Sequence, residues 1–277
     1  MRFGWSSKQS FQRALWAAGI FSLAFALVYF IIYWYQPFSG FWNNLLSNLF
    51  TQVASFMGAF FASRIWSKYE KGEAPRTVWG YFAVGLWLWF AGEVTWGYIN
   101  MTAGEVPIGW PDIFWSISYL FFGHALLRQY RILTQPTSRQ LWTWITLTVT
   151  TMIALMLVIY GLFISKTGTR ELLDVLVNSF YPAADLTMAL IALWLARNFS
   201  GGAFSRPWLG LLVFTFSDFL YAWLEASGMY AWSLENGNLL TTIADMTYLA
   251  AYLVLALGVF YQWLFLRYGY RANTNVR

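Results

Sequence analysis

The chain has 277 residues, of which 59% are hydrophobic and only 10% are charged, and its mean hydropathy is +0.50. This composition is typical of a polytopic membrane protein, and it leaves no segment long enough for a separate soluble domain. The absence of cysteine excludes disulfides, thiolate metal sites and cysteine nucleophiles. The pI is about 9.4, but the distribution of the basic residues indicates membrane topology rather than a nucleic-acid partner.

Eight apolar segments are long enough, at about 20 residues each, to span a bilayer. In chain order they lie near 12–35, 42–63, 78–100, 112–133, 141–164, 177–197, 207–230 and 240–266. The first segment follows a basic flank, as in a signal peptide, but it is longer and has no small-residue cleavage site, so we interpret it as a retained helix. The predicted fold is an all-α integral membrane protein that forms a single membrane domain over residues 1–277.

The charged residues predict the orientation of these spans. With the N terminus inside, every basic residue except Lys166 and Arg170 falls in a cytoplasmic segment. The acidic residues show the opposite bias, since only Glu70 and Glu73 lie on the inner side. We therefore predict a multi-pass protein of the plasma (inner) membrane, with both termini cytoplasmic and its acidic residues toward the outer leaflet.

A recurring pattern predicts two similar four-helix halves, at 12–134 and 141–268. Four acids each have an aromatic residue three positions later and a polar residue, tyrosine or acid seven positions later, so each trio lies on one helix face. The trios are Glu93-Trp96-Asn100, Asp112-Trp115-Tyr119, Asp218-Tyr221-Glu225 and Asp245-Tyr248-Tyr252. An even number of spans per half gives two halves of the same orientation, whose acidic faces we expect to meet in a central cavity.

Ionisable residues inside a membrane helix are by default a functional hypothesis. The candidate ligand-binding residues are Glu93, Trp96, Asp112, Trp115, Tyr119, Asp185, Asp218, Tyr221, Asp245, Tyr248 and Tyr252. In the structural alternative, each acid only accepts a hydrogen bond from an indole or phenol of a neighbouring helix. For Asp112, directly after Pro111, a helix N-terminal role is the simplest interpretation.

His124 is the only histidine of the chain. In mid-span it is a candidate for tetrapyrrole ligation or for a proton relay, and the alternative is a hydrogen-bonded packing role. No metal site is predicted, and the sequence requires no cofactor.

Aromatic residues make up 22% of the chain, with 18 tryptophans among them, which is more than two interfacial belts require. Rings with acids between them suit an amphipathic small molecule, a pigment, an isoprenoid or a cation. The alternative is that wide rings fill an irregular core. Membrane lipid is the one partner that the composition itself implies.

Two segments resemble the membrane regions that precede diguanylate cyclase domains in bacterial signalling proteins. The first runs from Gly92-Glu93 through Val106-Pro107 and Pro111-Asp112 to Tyr119, and the second is Thr242–Tyr252, with Asp245, Tyr248-Leu249 and Tyr252. The chain departs from the pattern at Trp110 and in the second copy, whose loop has no proline. The resemblance implies a stand-alone sensory module that acts through a partner membrane or signalling protein.

A second set of residues is similar to the eight-helix lysoplasmalogenase family. It comprises Phe214–Asp218, Tyr181 with Met188, Thr247–Val254, and Gly92-Glu93 followed by His124. This resemblance implies hydrolysis of a vinyl-ether lipid, with Glu93 and Asp218 as the catalytic residues, although this chain has Glu where that family has Asp.

The sequence thus favours a sensory or ligand-binding membrane module without an output domain of its own. A lysoplasmalogenase-like lipid hydrolase is the second hypothesis, in which Glu93 and Asp218 act as general acid and base on a water. A pigment-binding or cofactor-binding membrane subunit is the third.

Overall fold

The computed structural model describes residues 5–103, 108–162, 172–199, 203–227, 229–230 and 239–269. Within these ranges the regular structure is entirely helical, which confirms the predicted all-α class. The helices are α1 (Trp5–Tyr35), α2 (Gly40–Trp66), α3 (Ala74–Ala103), α4 (Trp110–Thr134), α5 (Ser138–Leu162), α6 (Leu172–Asn198), α7 (Arg206–Ala226) and α8 (Leu239–Gly269), and a short 3-10 turn (Ala203–Ser205) precedes α7. Lys166 and Arg170 lie outside the described residues.

The helices do not match the ends of the predicted apolar segments everywhere. The seventh segment was predicted to reach residue 230, but its helix ends at Ala226. The backbone N–H groups of Met229 and Tyr230 both donate to the carbonyl oxygen of Leu224, at 2.9 and 3.0 Å. These bonds satisfy a carbonyl at the end of α7 and turn the chain back toward the bundle.

Six of these helices are long and apolar enough to cross a membrane, by length and composition: α1, α2, α5, α6, α7 and α8. α3 and α4, with 30 and 25 residues, are also long enough. Their mean hydropathy is lower because they carry Glu93, Asp112, His124, Arg128 and Arg131 among many Trp and Tyr residues. The structure therefore defines a multi-pass membrane protein.

Each half of the chain has the same order of helix contacts. α3 packs between α2 and α4, and α7 packs between α6 and α8. α2 also packs closely against α8, whereas the corresponding pair, α6 and α4, touch only lightly. α1 lies against α2 and α8, and α5 lies against α6. The central helices are thus α2, α3, α7 and α8, with α4 and α6 completing the ring.

Small residues bring α7 and α8 close together. A Cβ atom at Gly210 would lie 2.8 Å from the Cα of Leu255, and one at Gly258 would lie 2.6 Å from the carbonyl oxygen of Arg206. Close approach of backbones at glycine is a common way to pack helices in membranes, where dispersion contacts replace the hydrophobic effect. This contact fixes the relative positions of Asp218 on α7 and Asp245 on α8.

Candidate functional site

A cavity of about 350 Å³ lies inside the bundle. Its lining comes from the C-terminal halves of α1, α3 and α7 and from the N-terminal halves of α2, α4, α6 and α8. The cavity therefore lies at the end of the bundle opposite the start of α1 and the end of α8. Its volume is at the lower end of the range for small-molecule sites.

Four carboxyl groups line this cavity from four different helices. They belong to Glu93 of α3, Asp112 of α4, Asp218 of α7 and Asp245 of α8. Glu93, Asp218 and Asp245 are buried in the bundle. None of the described residues that line the cavity is Lys, Arg or His. The cavity is thus acidic, with no basic side chain on its wall to balance the carboxyl groups.

Each of these carboxyl groups is near a tyrosine of another segment. Tyr248 of α8 donates a hydrogen bond to Oε1 of Glu93 at 3.2 Å. Tyr252 donates to the Tyr248 hydroxyl at 2.9 Å, and the Trp89 indole donates to the Tyr252 hydroxyl at 2.6 Å. These bonds form one chain from α3 through α8 and back to α3, so they hold the Glu93 carboxyl in a fixed position and also join the two halves.

Asp112 has two roles at the start of α4. Its Oδ2 accepts the Gly109 backbone N–H at 2.8 Å, as expected for a residue that caps a helix N terminus. Its Oδ1 accepts the Tyr181 hydroxyl of α6 at 2.9 Å. Asp112 is therefore the helix-capping residue that the sequence indicates, and it also faces the cavity and joins α4 to α6.

Tyr119 lies between two carboxyl groups. Its hydroxyl is 2.7 Å from Oδ1 of Asp185 and 3.1 Å from Oδ2 of Asp218. Asp185 is fully buried on α6, and its Oδ2 has no hydrogen-bond partner among the described residues. Both acids bond the same hydroxyl, and two negative charges this close would repel each other in a medium of low dielectric.

Asp245 lies in a cluster of tyrosines. Its Oδ2 accepts the Tyr33 hydroxyl of α1 at 2.5 Å, and Tyr230, which follows α7, lies 3.1 and 3.2 Å from its two oxygens. Burial, followed by the nearby Tyr221 and Asp245, raises the pKa of Tyr230. The Tyr230 hydroxyl therefore stays protonated at neutral pH and acts as a hydrogen-bond donor.

A polar stripe of α2 that was not predicted from the sequence also lines the cavity. Asn44, Ser47, Asn48 and Thr51 all line the cavity, and Asn44 donates to the Asn100 side chain of α3 at 2.9 Å. These residues follow the i, i+3, i+4, i+7 spacing of one helix face in an otherwise apolar segment. This spacing could have predicted a polar face of α2 from the sequence, but a prediction based on acidic residues alone leaves out neutral polar residues.

Trp115 packs against the backbone of Gly92. A Cβ atom at Gly92 would come closer to the Trp115 indole nitrogen than real Cβ contacts allow. The indole N–H of Trp115 is buried and has no hydrogen-bond partner among the described residues. Gly92 is one residue before Glu93, and because it has no side chain, Trp115 can occupy this place on the cavity wall.

The predicted ligand-binding residues divide into two groups. Those on the cavity wall are Glu93, Trp96, Asp112, Trp115, Asp218, Tyr221, Asp245 and Tyr248. Tyr119, Asp185 and Tyr252 lie behind the wall and form hydrogen bonds to residues of the wall or to each other. Tyr29, Asn178, Tyr181 and Tyr230 are wall residues that the prediction omitted.

His124 lies away from the cavity, on an exposed face of α4, with its ring 5.0 Å from that of Tyr81. This position gives it no contact with the acidic wall. Among the described residues, no group of three or more His, Cys, Asp or Glu side chains has the geometry to hold a metal ion.

The fold and the cavity together define the protein as a multi-pass α-helical membrane protein with an acidic, aromatic cavity between its helices. No protein-family model, curated protein or solved structure gives a significant match to this chain.

Proposed function

We propose that the protein is a sensory or ligand-binding membrane module, and that its cavity binds a small molecule or cation. The observation that carries the proposal is the set of four carboxyl groups, from four helices, on the wall of one cavity. Packing of the helices alone does not require acids at four such places, since ionisable groups in membrane helices are costly. A cavity that binds a ligand explains the presence of all four carboxyl groups, because each of them lines it.

The proposal includes eight spans, two similar halves, and both termini on the cytoplasmic side of the plasma (inner) membrane. The order of helix contacts supports two related halves, because α2–α3–α4 and α6–α7–α8 pack in the same sequence. The basic residues support the orientation. In this orientation the cavity faces the outer leaflet, so its ligand enters from outside.

Binding acts through the packing of the two halves. α2 and α8 form a close contact across them, whereas α4 and α6 touch lightly beside the cavity, where Tyr181 and Asp112 are hydrogen-bonded. A ligand that engages Asp112 alters this weaker contact more readily than the close one. A partner signalling protein in the membrane then responds to the new arrangement.

The first test is native mass spectrometry of the protein purified in a mild detergent, with an absorption spectrum of a solvent extract. A bound small molecule at about one per chain, lost in Glu93→Gln and Asp218→Asn but kept in Asp174→Asn, is the expected result. Asp174 is the matched control, since it lies in the first turn of α6 and does not line the cavity. Visible absorption in the extract would indicate the pigment-binding alternative.

A lipid hydrolase is the second candidate, because Glu93 and Asp218 line the same cavity. In this reaction one carboxyl group, as the acid, protonates the β-carbon of the vinyl ether, and the other, as a carboxylate, takes a proton from the water that adds to the α-carbon. The hemiacetal then breaks its C–O bond to the glycerol oxygen and releases an aldehyde and the glycerol alcohol, with its hydroxyl proton returning to the acid and the base returning its proton to the leaving oxygen. Incubation with a lysoplasmalogen in detergent micelles distinguishes the two functions. Release of an aldehyde that is abolished in both Glu93→Gln and Asp218→Asn would replace the binding proposal with the hydrolase.

A further inference from the structure

We propose that Asp245 and the surrounding tyrosines form a site for a methylated or quaternary ammonium group. The inference rests on the proposed binding function and names the chemical class of its ligand. Four of the five tyrosines on the described cavity wall belong to this proposed site: Tyr29, Tyr221, Tyr230 and Tyr248. An aromatic cage beside a carboxylate is the arrangement that recognises such cations.

The rings form two groups, each of which reaches Asp245 through a tyrosine hydroxyl. The ring of Tyr221 lies 4.9 Å from that of Tyr230 and 5.5 Å from that of Tyr248, between centroids. The ring of Tyr29 lies 5.7 Å from that of Tyr33, whose hydroxyl donates to Asp245. The tyrosines thus come from α1, α7, the segment after α7, and α8, and the carboxyl group accepts hydrogen bonds from Tyr33 of α1 and from Tyr230.

The charge of the wall favours a cation over the other candidate ligands. A carboxylate that accepts phenol hydrogen bonds still has lone pairs and negative charge to offer. The described wall residues include no Lys, Arg or His, so an anionic ligand would meet no positive partner. A neutral isoprenoid would leave the four carboxyl groups without a counter-charge.

A bare metal ion fits this wall less well than an organic cation. No group of three or more acids among the described residues has metal-binding geometry, and the four acids of the wall come from separate helices. A methylated ammonium group needs no such convergence, because its diffuse charge interacts with ring faces and a single carboxylate. The remaining wall accommodates the rest of the molecule.

The test uses choline and its neutral isostere 3,3-dimethylbutan-1-ol, in which carbon replaces the charged nitrogen. Binding to the purified protein is measured by isothermal titration calorimetry in a maltoside detergent, which contributes no ammonium group. Choline is expected to bind at least tenfold more tightly than the isostere. Equal binding of the two, or binding of neither, would overturn the ammonium site.

Variants assign the binding to this cluster. Asp245→Asn is expected to weaken choline binding at least tenfold, and Asp174→Asn is expected to leave it unchanged. Because Asp245→Asn also loses buried hydrogen bonds, Tyr221 gives a second pair: Tyr221→Phe keeps the ring and the affinity, whereas Tyr221→Leu loses about fivefold or more. Equal affinities in these two Tyr221 variants would contradict the cage.

A short-chain phosphatidylcholine identifies the source of the ammonium group. Tighter binding of this lipid than of choline supports a lipid headgroup, and weaker binding supports a free ammonium compound.

Native mass spectrometry distinguishes a failure of the ammonium site from a failure of the proposed function. A stoichiometric neutral or anionic ligand in native mass spectrometry would keep the binding module and remove the ammonium site, whereas the absence of any ligand or choline binding would remove both.

Discussion

Tyr119 lies behind the cavity wall, where two acids depend on its hydroxyl. Its hydroxyl is the shared donor for Asp185 and Asp218, both of which are buried. Tyr119→Phe leaves two carboxyl groups close together without that donor. We expect a loss of about 1 to 3 kcal/mol in the free energy of unfolding, the usual cost of an unsatisfied buried polar group, measured by thermal or denaturant unfolding in detergent.

Tyr130→Phe is the control for this change. Tyr130 is also buried, and its ring stacks on Trp144 with centroids 4.7 Å apart. Tyr130→Phe also removes a buried hydroxyl but removes no hydrogen bond to an acid, so the free energy of unfolding is expected to change little. The double variant Tyr119→Phe/Asp185→Asn is expected to recover part of the loss because one of the two charges is gone. An equal loss in Tyr119→Phe and Tyr130→Phe would contradict the role given to the shared hydroxyl.

At the scale of single residues, the sequence pointed to the acids but not to their partners. Glu93 and Asp218 could be singled out because a charge in an apolar helix is conspicuous on its own. The tyrosine that bonds each acid is distant in sequence, as with Tyr248 and Glu93 or Tyr33 and Asp245. Such pairs depend on how helices pack, and no local spacing encodes them.

The helices themselves follow from local sequence more directly. Apolar segments of sufficient length predicted each helix, and Pro111 and Asp112 indicated the start of α4. The end of α7 was wrong because apolar residues continue past the point where the backbone turns toward Leu224. The unequal contacts of α2 with α8 and of α4 with α6 could not be predicted, since they depend on side-chain volumes at positions far apart in the chain.

These unequal helix contacts lead to a prediction about movement. We expect saturating ligand to change the distance between α4 and α6 while the distance between α2 and α8 stays the same. Spin labels at Ile113→Cys with Leu176→Cys, and at Phe41→Cys with Leu240→Cys, report the two distances by pulsed electron resonance. All four side chains are exposed, and the chain has no cysteine of its own.

The α2–α8 pair is the internal control, since both label pairs lie toward the same end of the bundle as the cavity. The expected result is a shifted or narrowed distance distribution for the α4–α6 pair alone. Unchanged distributions in both pairs at saturation would show that binding does not act through the packing of the two halves. Equal shifts in both pairs would show that the whole bundle changes its packing, and not the α4–α6 contact alone.

At the scale of the whole molecule, α3 and α4 determine the number of membrane spans. Both are long enough, but neither is among the six helices that are apolar enough to cross a membrane by composition. They also supply Glu93 and Asp112 to the cavity and pack against the centre of the bundle. Burial in protein explains how polar helices are tolerated at membrane depth, so we expect both to span.

Single cysteines in exposed loop residues decide this question in whole cells. Ser39→Cys, between α1 and α2, is expected to react with a membrane-impermeant maleimide from outside, and Lys71→Cys, between α2 and α3, is expected to react only after permeabilisation. Trp110→Cys, at the start of α4, then reports on α3. If α3 spans, Trp110→Cys labels like Ser39→Cys; labelling like Lys71→Cys would leave six spans. The cavity itself favours eight spans.

Six spans would place the ends of α3 and α4 that carry Glu93 and Asp112 on the inner side of the membrane, whereas Tyr29 and Asp245 would stay at the outer ends of α1 and α8. These four residues line one cavity and must therefore lie at the same depth. We expect this only if α3 and α4 both cross the membrane.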